Sequence, residues 1–140
     1  MPTITRPEIS FSVNKVCQFM SDPSEHHWIA VKRILRYLNG TLNPGLRLQP
    51  SNSPNVSVQA YCDAGWASDP DDRRSTSGAV IFLGPNLVPW WSMKQKVVAR
   101  SSTEAEYRSL ALATAEVTWI QTLLFELQVK HTTPVFFVTT

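Results

Sequence analysis

Four aspartates fall within ten positions of the stretch YCDAGWASDPDD, which covers residues 61–72. Carboxylates this close repel one another, so each needs solvent, a cation or a role in chemistry. The residues from Val56 to Asp63 alternate between apolar and polar types, which predicts a β-strand with Asp63 as the last residue on its more polar face. Asp63 is either a plain acid at a strand end or a carboxylate held in place for metal binding or catalysis.

The other three acids follow a glycine and surround a proline, which predicts a turn. They are Asp69, Asp71 and Asp72. We expect them to be solvated or to pair with Arg73 and Arg74, which follow directly. The two arginines are also candidates for contacts with the phosphates of a nucleic acid, because phosphate oxygens are the usual partners of exposed arginines in such complexes. Ion pairing with the neighbouring aspartates explains the arginines equally well.

A further carboxylate is carried by the predicted long helix SSTEAEYRSLALATAEVTWIQTLLFEL. It opens with two pairs at capping-box spacing, Ser101 with Glu104 and Thr103 with Glu106. We expect it to end near Leu127. Apolar residues succeed Glu106 at steps of four and three, which predicts that this face of the helix packs on a core. These residues are Leu110, Ala113, Val117, Ile120 and Leu124.

The two glutamates of this helix have different expected surroundings. Glu104 has Arg108 four residues later, the spacing of a surface ion pair. Glu106 is directed towards the interior, where a carboxylate without a partner is costly. Either Glu106 closes the capping box with Thr103, or it shares a divalent cation with Asp63. Carboxylate oxygens from two rigid elements, completed by water, suit Mg²⁺.

The remaining strand signals complete a small sheet. We expect strands over Ser77–Leu83 and Leu87–Ser92, joined antiparallel by the turn at 84–86, and a fourth strand over Pro134–Val138. Residues 41–55 are rich in proline, serine and asparagine, and they are interpreted as a linker in which GLRLQ forms a short strand at most.

Two helices are predicted before this linker. The first covers residues 7–20, with an apolar stripe that ends at Met20. The second has Asp22 as its N-cap and Gly40 as a left-handed residue after its end, and its apolar stripe begins at Trp28 and includes Leu35. Its opposite face is basic, and this face is either solvated or part of a DNA-binding helix pair.

Composition bounds the class of protein. The chain has 140 residues, 43% of them hydrophobic, with a net charge of +2 and a pI near 8.7. This permits a nucleic-acid partner without requiring one. Cys17 and Cys62 lack metal-ligand spacing and are expected to be reduced thiols. The N-terminus has no apolar signal segment and no apolar run is long enough to cross a membrane, so we expect a soluble chain of the cytoplasm or nucleus that is not secreted.

Three stretches resemble a known family. DAGWASDPDDRRSTSGAVIFLG and WWSMKQKVVARSSTEAEYRSLALATAEVTWIQTLLFEL resemble the ribonuclease H domain of copia-type LTR retrotransposon Pol polyproteins. The preceding TRPEISFSVNKVCQFMSDPSEHHWIAVKRILRYLNGTL resembles the segment that joins reverse transcriptase to that domain. The resemblance covers residues 5–138 and implies two parts, a helical reverse transcriptase or connection remnant over residues 1–50 and a ribonuclease H-like domain over 55–140.

The resemblance implies an α/β fold of the ribonuclease H-like class. In it, a three-stranded antiparallel meander is followed by a long helix and a fourth strand parallel to the first. It also implies hydrolysis of the RNA strand of RNA–DNA hybrids with two Mg²⁺ ions, or Mn²⁺ in their place. By position, Asp63 matches the family's first-strand aspartate and Glu106 its helix glutamate, so both are expected to be catalytic and to bind metal. The expected partners are an RNA–DNA hybrid or another nucleic acid, and the rest of a reverse transcriptase.

One position departs from the family's pattern. Thr139 stands where the resemblance implies a third carboxylate, and the strand, helices and last acid that follow in the family are absent from these 140 residues. We therefore expect an incomplete, C-terminally truncated fold that binds one ion at most and cleaves weakly or not at all. The alternative is a non-catalytic nucleic-acid-binding or structural remnant of a Pol polyprotein.

Overall fold

The computed structural model describes residues 5–139, which divide into two compact units between Leu46 and Arg47. In the first unit a 3₁₀ turn at Pro7–Ile9 leads into helix α1, Ser10–Cys17, and helix α2 covers Glu25–Gly40. The single helix predicted over 7–20 is therefore shorter and begins as a 3₁₀ turn. None of the helices in the described residues is long and apolar enough to cross a membrane.

Helix α2 begins and ends at other residues than predicted. Its N-cap is Ser24, not Asp22, because Ser24 is extended and completes a capping box with His27. The Nδ1 atom of His27 accepts the Ser24 N–H at 3.0 Å, and the His27 ring stacks on Phe19 at a centroid distance of 4.0 Å. An imidazole acceptor thus takes the place of the usual glutamate of the box. Gly40 is the last helical residue and not a left-handed one after the helix.

The apolar stripe of α2 is also turned relative to the prediction. Trp28 and Leu35 are 52% and 54% exposed, whereas Val31, Ile34 and Leu38 are half-buried. The error arises because Trp28 and Leu35 lie one position away from the residues that form the shielded face of a short helix. Residues 45–49 have no strand pairing, so the short strand considered there is not formed.

The second unit is an α/β layer with a four-stranded mixed sheet. Its elements are β1 (Val58–Gly65), β2 (Thr76–Leu83), β3 (Asn86–Lys94), α3 (Ser102–Glu126) and β4 (Val135–Val138). The strand order is β3-β2-β1-β4. Strands β1 to β3 pair antiparallel and β4 pairs parallel to β1. The three-stranded meander, the long helix and the parallel fourth strand are all present as predicted.

Helix α3 covers one face of this sheet. Its buried side chains Val117, Ile120 and Leu124 pack with Val58, Ala60 and Ile81 of the strands. Nearer the start of α3, Ala113 packs with Cys62 and Ala79, and Leu110 is half-buried beside them. The stripe predicted after Glu106 therefore does face the core, and burying it stabilises the contact between helix and sheet.

Candidate functional site

Asp63 lies near the C-terminal end of β1. The strand continues for two residues beyond it, because Ala64 and Gly65 pair with Ser77 and Thr76 of β2. Burial alternates along β1, so Cys62 is buried and Asp63 is exposed. One carboxylate oxygen of Asp63, Oδ1, accepts the N–H of Ala64 at 2.8 Å. The carboxylate is thus held by a rigid strand and is open to solvent.

Helix α3 is fastened to β1 at this residue. Ser109 is fully buried, and its hydroxyl donates to the carbonyl oxygen of Asp63 at 2.8 Å. Glu106 lies one turn earlier, on the same side of the helix, and is half-buried. The hydrogen bond from Ser109 therefore brings the first turns of α3, including Glu106, over the strand that carries Asp63.

The N-cap of α3 bears on one of the two explanations for Glu106, the capping box with Thr103. Ser101 is the N-cap and accepts the N–H of Glu104 at 3.1 Å. Thr103 is the second residue inside the helix, so the alternative capping box between Thr103 and Glu106 is not formed. Glu104 pairs with Arg108 at 2.8 Å, as predicted. The backbone N–H of Arg100, and then Arg108, hold the pKa of Glu104 below its usual value.

A buried glutamine that sequence reasoning missed joins α3 to the sheet. The Nε2 of Gln95, just after β3, donates to the hydroxyl of Ser77 at 2.8 Å and to the carbonyl of Ala105 at 3.0 Å. Ala105 directly precedes Glu106. Gln95 is only 7% exposed, and nothing in its local sequence distinguishes it from a surface glutamine. Gln95 and Ser109 together fix the first turns of α3 against β1 and β2.

Thr139 completes this end of the sheet. Cys62 pairs with Val138 in the parallel register, and the N–H of Thr139 donates to the carbonyl of Cys62 at 3.2 Å. The backbone at Thr139 therefore lies next to β1 where Asp63 follows Cys62. Across residues 5–139, no three His, Cys, Asp or Glu side chains gather closely enough to hold a metal ion. Asp63 and Glu106 are the two sequence-predicted carboxylates at this end of the sheet, beside the acids of the β1–β2 loop, and residue 139 is a threonine with no charge.

The loop from β1 to β2 differs from the prediction at Asp69. Asp69 is 2% exposed and not solvated. Its Oδ2 lies 2.9 Å from the ammonium of Lys94, and its Oδ1 accepts the N–H of Asp71 at 3.0 Å. The same ammonium lies 2.8 Å from Oδ2 of Asp72. Lys94 lowers the pKa of Asp72, and the pKa of Lys94 is raised first by Asp72 and then by Asp69.

Arg73 and Arg74, the two candidates for contacts with phosphate, have different surroundings. The guanidinium of Arg74 lies 3.4 Å from Asp72 and is half-buried. Arg73 is exposed and has a left-handed backbone, with φ of 57°. In the part of the chain that the structure describes, no carboxylate pairs with Arg73. Pairing with the aspartates, one of the two explanations considered for these arginines, is therefore observed for Arg74 and not for Arg73.

This α/β unit, with two carboxylates at one end of a mixed sheet, has relatives of known type. The chain is 52% identical over 130 residues to a retrovirus-related Pol polyprotein from transposon RE1 of Arabidopsis thaliana, covering 93% of this chain and 9% of that protein. It is 39% identical over 123 residues to the Pol polyprotein from transposon TNT 1-94 of Nicotiana tabacum, covering 88% of this chain and 9% of that protein. A protein named secreted RxLR effector protein 161, from Plasmopara viticola, is 44% identical over 84% of this chain and 81% of its own length.

The chain is therefore homologous to one segment of retrotransposon Pol polyproteins and belongs with the shorter proteins that share this segment. It spans about a tenth of the length of the Pol polyproteins that it matches, 9% in each of the two cases. No family model matches the chain, and no solved structure matches it.

Proposed function

We propose that residues 47–140 form a ribonuclease H-like domain of a retrotransposon Pol polyprotein and bind RNA–DNA hybrids. The order of its elements supports this proposal, since three antiparallel strands are followed by a helix and by a strand parallel to the first. The observation that carries it is the 2.8 Å hydrogen bond from Ser109 to the carbonyl of Asp63. That contact brings a helix glutamate and a strand aspartate to the same end of the sheet. Within a polyprotein, the rest of the reverse transcriptase is the expected partner.

The donor set favours one divalent cation over a pair. Asp63 and Glu106 would hold Mg²⁺ or Mn²⁺ through carboxylate oxygens, the ligands that hard cations prefer. A bound ion of this kind lowers the pKa of its water and stabilises a leaving oxygen. Two divalent ions bring four positive charges, of which Asp63 and Glu106 offset two, and the hydroxyl of Thr139 offsets none. We therefore propose weak binding of a single ion and weak cleavage by these 140 residues.

The second candidate function is a non-catalytic nucleic-acid-binding or structural role. The observation that favours it is Thr139, whose N–H bonds to Cys62 beside Asp63 and whose side chain carries no charge there. Under this alternative, hybrid binding persists when the carboxylates of the candidate site are neutralised.

The test measures binding and cleavage separately on one labelled RNA–DNA hybrid in Mg²⁺ and in Mn²⁺. The variants are Asp63→Asn and Glu106→Gln, with Asp71→Asn as a control that removes the same charge from an exposed residue of the β1–β2 loop. Cleavage that is lost in both site variants and kept in the control supports the nuclease. Binding without cleavage in every protein supports the non-catalytic role. A wild-type chain that does not bind the hybrid refutes both.

A further inference from the structure

Lys94 occupies a position in the sheet that no part of the proposed chemistry uses. It is the last residue of β3 and pairs in register with Thr76, the first residue of β2. Its side chain is 21% exposed. The β1–β2 loop re-enters the sheet at Thr76, so the ammonium of Lys94 lies against this loop and meets Asp69 at 2.9 Å and Asp72 at 2.8 Å.

The ion pair with Asp69 is required by burial. The side chain of Asp69 is 3% exposed, and a carboxylate taken out of water without a cation is strongly unfavourable. Two backbone hydrogen bonds close the loop at the same residue. The N–H of Asp69 donates to the backbone carbonyl of Arg74 at 3.1 Å, and the carbonyl of Asp69 accepts the N–H of Arg73 at 2.9 Å. Lys94 therefore sets the conformation of the segment that presents both arginines.

Lys94 also pairs with the two acids of the loop, Asp69 and Asp72, that could otherwise pair with an arginine. It takes up Oδ2 of Asp69 and Oδ2 of Asp72, and the second of these is shared with Arg74 at 3.4 Å. The charges of these four groups cancel. Arg73 is left exposed, and no carboxylate within residues 5–139 pairs with it.

We propose that Lys94 is a positioning residue for nucleic-acid binding: by holding Asp69 and Asp72, it keeps the guanidinium of Arg73 available for a phosphate of the hybrid backbone. This inference rests on the proposed function. Lys94 itself is unsuited to the phosphate, because two carboxylates already surround its ammonium. Without Lys94, Asp69 and Asp72 lose a cation partner within the loop that carries Arg73, so they would compete with the phosphate for its guanidinium.

The test is fluorescence anisotropy of a labelled RNA–DNA hybrid with the 140-residue chain over a series of salt concentrations. Arg73→Ala is expected to weaken binding about tenfold. It should also reduce the slope of log affinity against log salt by about one contact. Lys94→Met should reproduce both effects, and the double variant should be no weaker than Arg73→Ala alone. Arg74→Ala is the matched control and should stay within about twofold of wild type, because Arg74 is already paired.

A rescue variant separates positioning from a general loss of structure. In the triple variant Lys94→Met, Asp69→Asn, Asp72→Asn, neither acid is left to capture Arg73, so binding should recover although Lys94 is absent. Wild-type binding by Lys94→Met, additive losses in the double variant, or no recovery in the triple variant would each overturn the inference while leaving the proposed function intact. A wild-type chain that fails to bind the hybrid overturns both.

Discussion

Ser109 offers the sharpest test of how the candidate site is assembled. Its hydroxyl is fully buried and lies 2.8 Å from the carbonyl of Asp63 and 3.4 Å from that of Gly78. In Ser109→Ala the side chain keeps nearly the same shape, but the carbonyl of Asp63 loses the donor that a fully buried hydroxyl supplies. A net hydrogen bond contributes about 1 kcal/mol, and an unsatisfied buried group costs about 1–3 kcal/mol. We expect Ser109→Ala to lower the free energy of unfolding by about 2 kcal/mol.

The measurement is urea unfolding followed by circular dichroism, with thermal unfolding alongside. For a unit of this size, each kcal/mol corresponds to a fall in Tm of about 4–8 °C. The matched control is Thr118→Ala on the same helix. The Thr118 hydroxyl also donates to a carbonyl at 2.8 Å, but it does so on the exposed face and within one helix. We expect the control to change stability by less than about 0.5 kcal/mol. Equal effects of the two substitutions would refute the view that Ser109 fastens α3 to β1.

Three further predictions concern the third ligand, the ion-pair cluster and the core. Thr139→Asp should raise the affinity for Mn²⁺ about tenfold in isothermal titration calorimetry, because it adds a carboxylate beside Asp63. The pKa of Asp72 is depressed from its ordinary value of 3.8 by Lys94, so its contribution to stability is present above that value and is lost as the pH falls through the lowered folded pKa. Asp72→Asn should therefore lose less stability than wild type when the pH is lowered in urea titrations. Ile120→Ala should cost about 2–5 kcal/mol in the same unfolding assay, because it leaves a cavity in the core.

Each of these predictions has a control on the same chain. Thr133→Asp adds the same charge on an exposed residue ahead of β4 and should leave Mn²⁺ affinity unchanged. Asp71→Asn removes an exposed acid from the same loop and should keep the acid sensitivity of wild type. Leu112→Ala removes a 43% exposed side chain of the same helix. It should lower the free energy of unfolding by much less than Ile120→Ala does. A control that equals its test variant contradicts the corresponding prediction.

The sequence predicted well the features that depend on nearby residues. The alternation before Asp63 and the four- and three-residue steps after Glu106 each reflect one element's own geometry. For that reason the place of Asp63 on the polar face of β1 and the buried face of α3 agree with the structure, and Ser101, one of the two caps considered, is the N-cap. The helical unit agreed less well, since Trp28 and Leu35 belong to a short helix whose shielded face is set by its neighbour and not by its own pattern.

Contacts across the sheet were beyond the reach of local patterns. Lys94 meets Asp69 across 25 positions of the chain, and this follows only once the register of β2 and β3 is known. Gln95 is similar, because its role depends on Ser77 of β2 and Ala105 of α3 meeting at one point. An Asp-rich turn was therefore expected to be solvated, although its first acid, Asp69, is buried.

The register of β4 determines which residue stands third at the candidate site. Parallel pairing of Cys62 with Val138 brings the following residue beside Asp63 whatever its side chain. A shift of one residue would place an apolar valine there instead and would turn the faces of β4 around. The backbone therefore places residue 139 beside Asp63, and the side chain at position 139 determines the charge there. If Thr139→Asp increases cleavage, and adding Asp63→Asn to this variant abolishes it, these residues form the site of a nuclease. If Thr139→Asp improves ion binding without cleavage, these residues support binding alone.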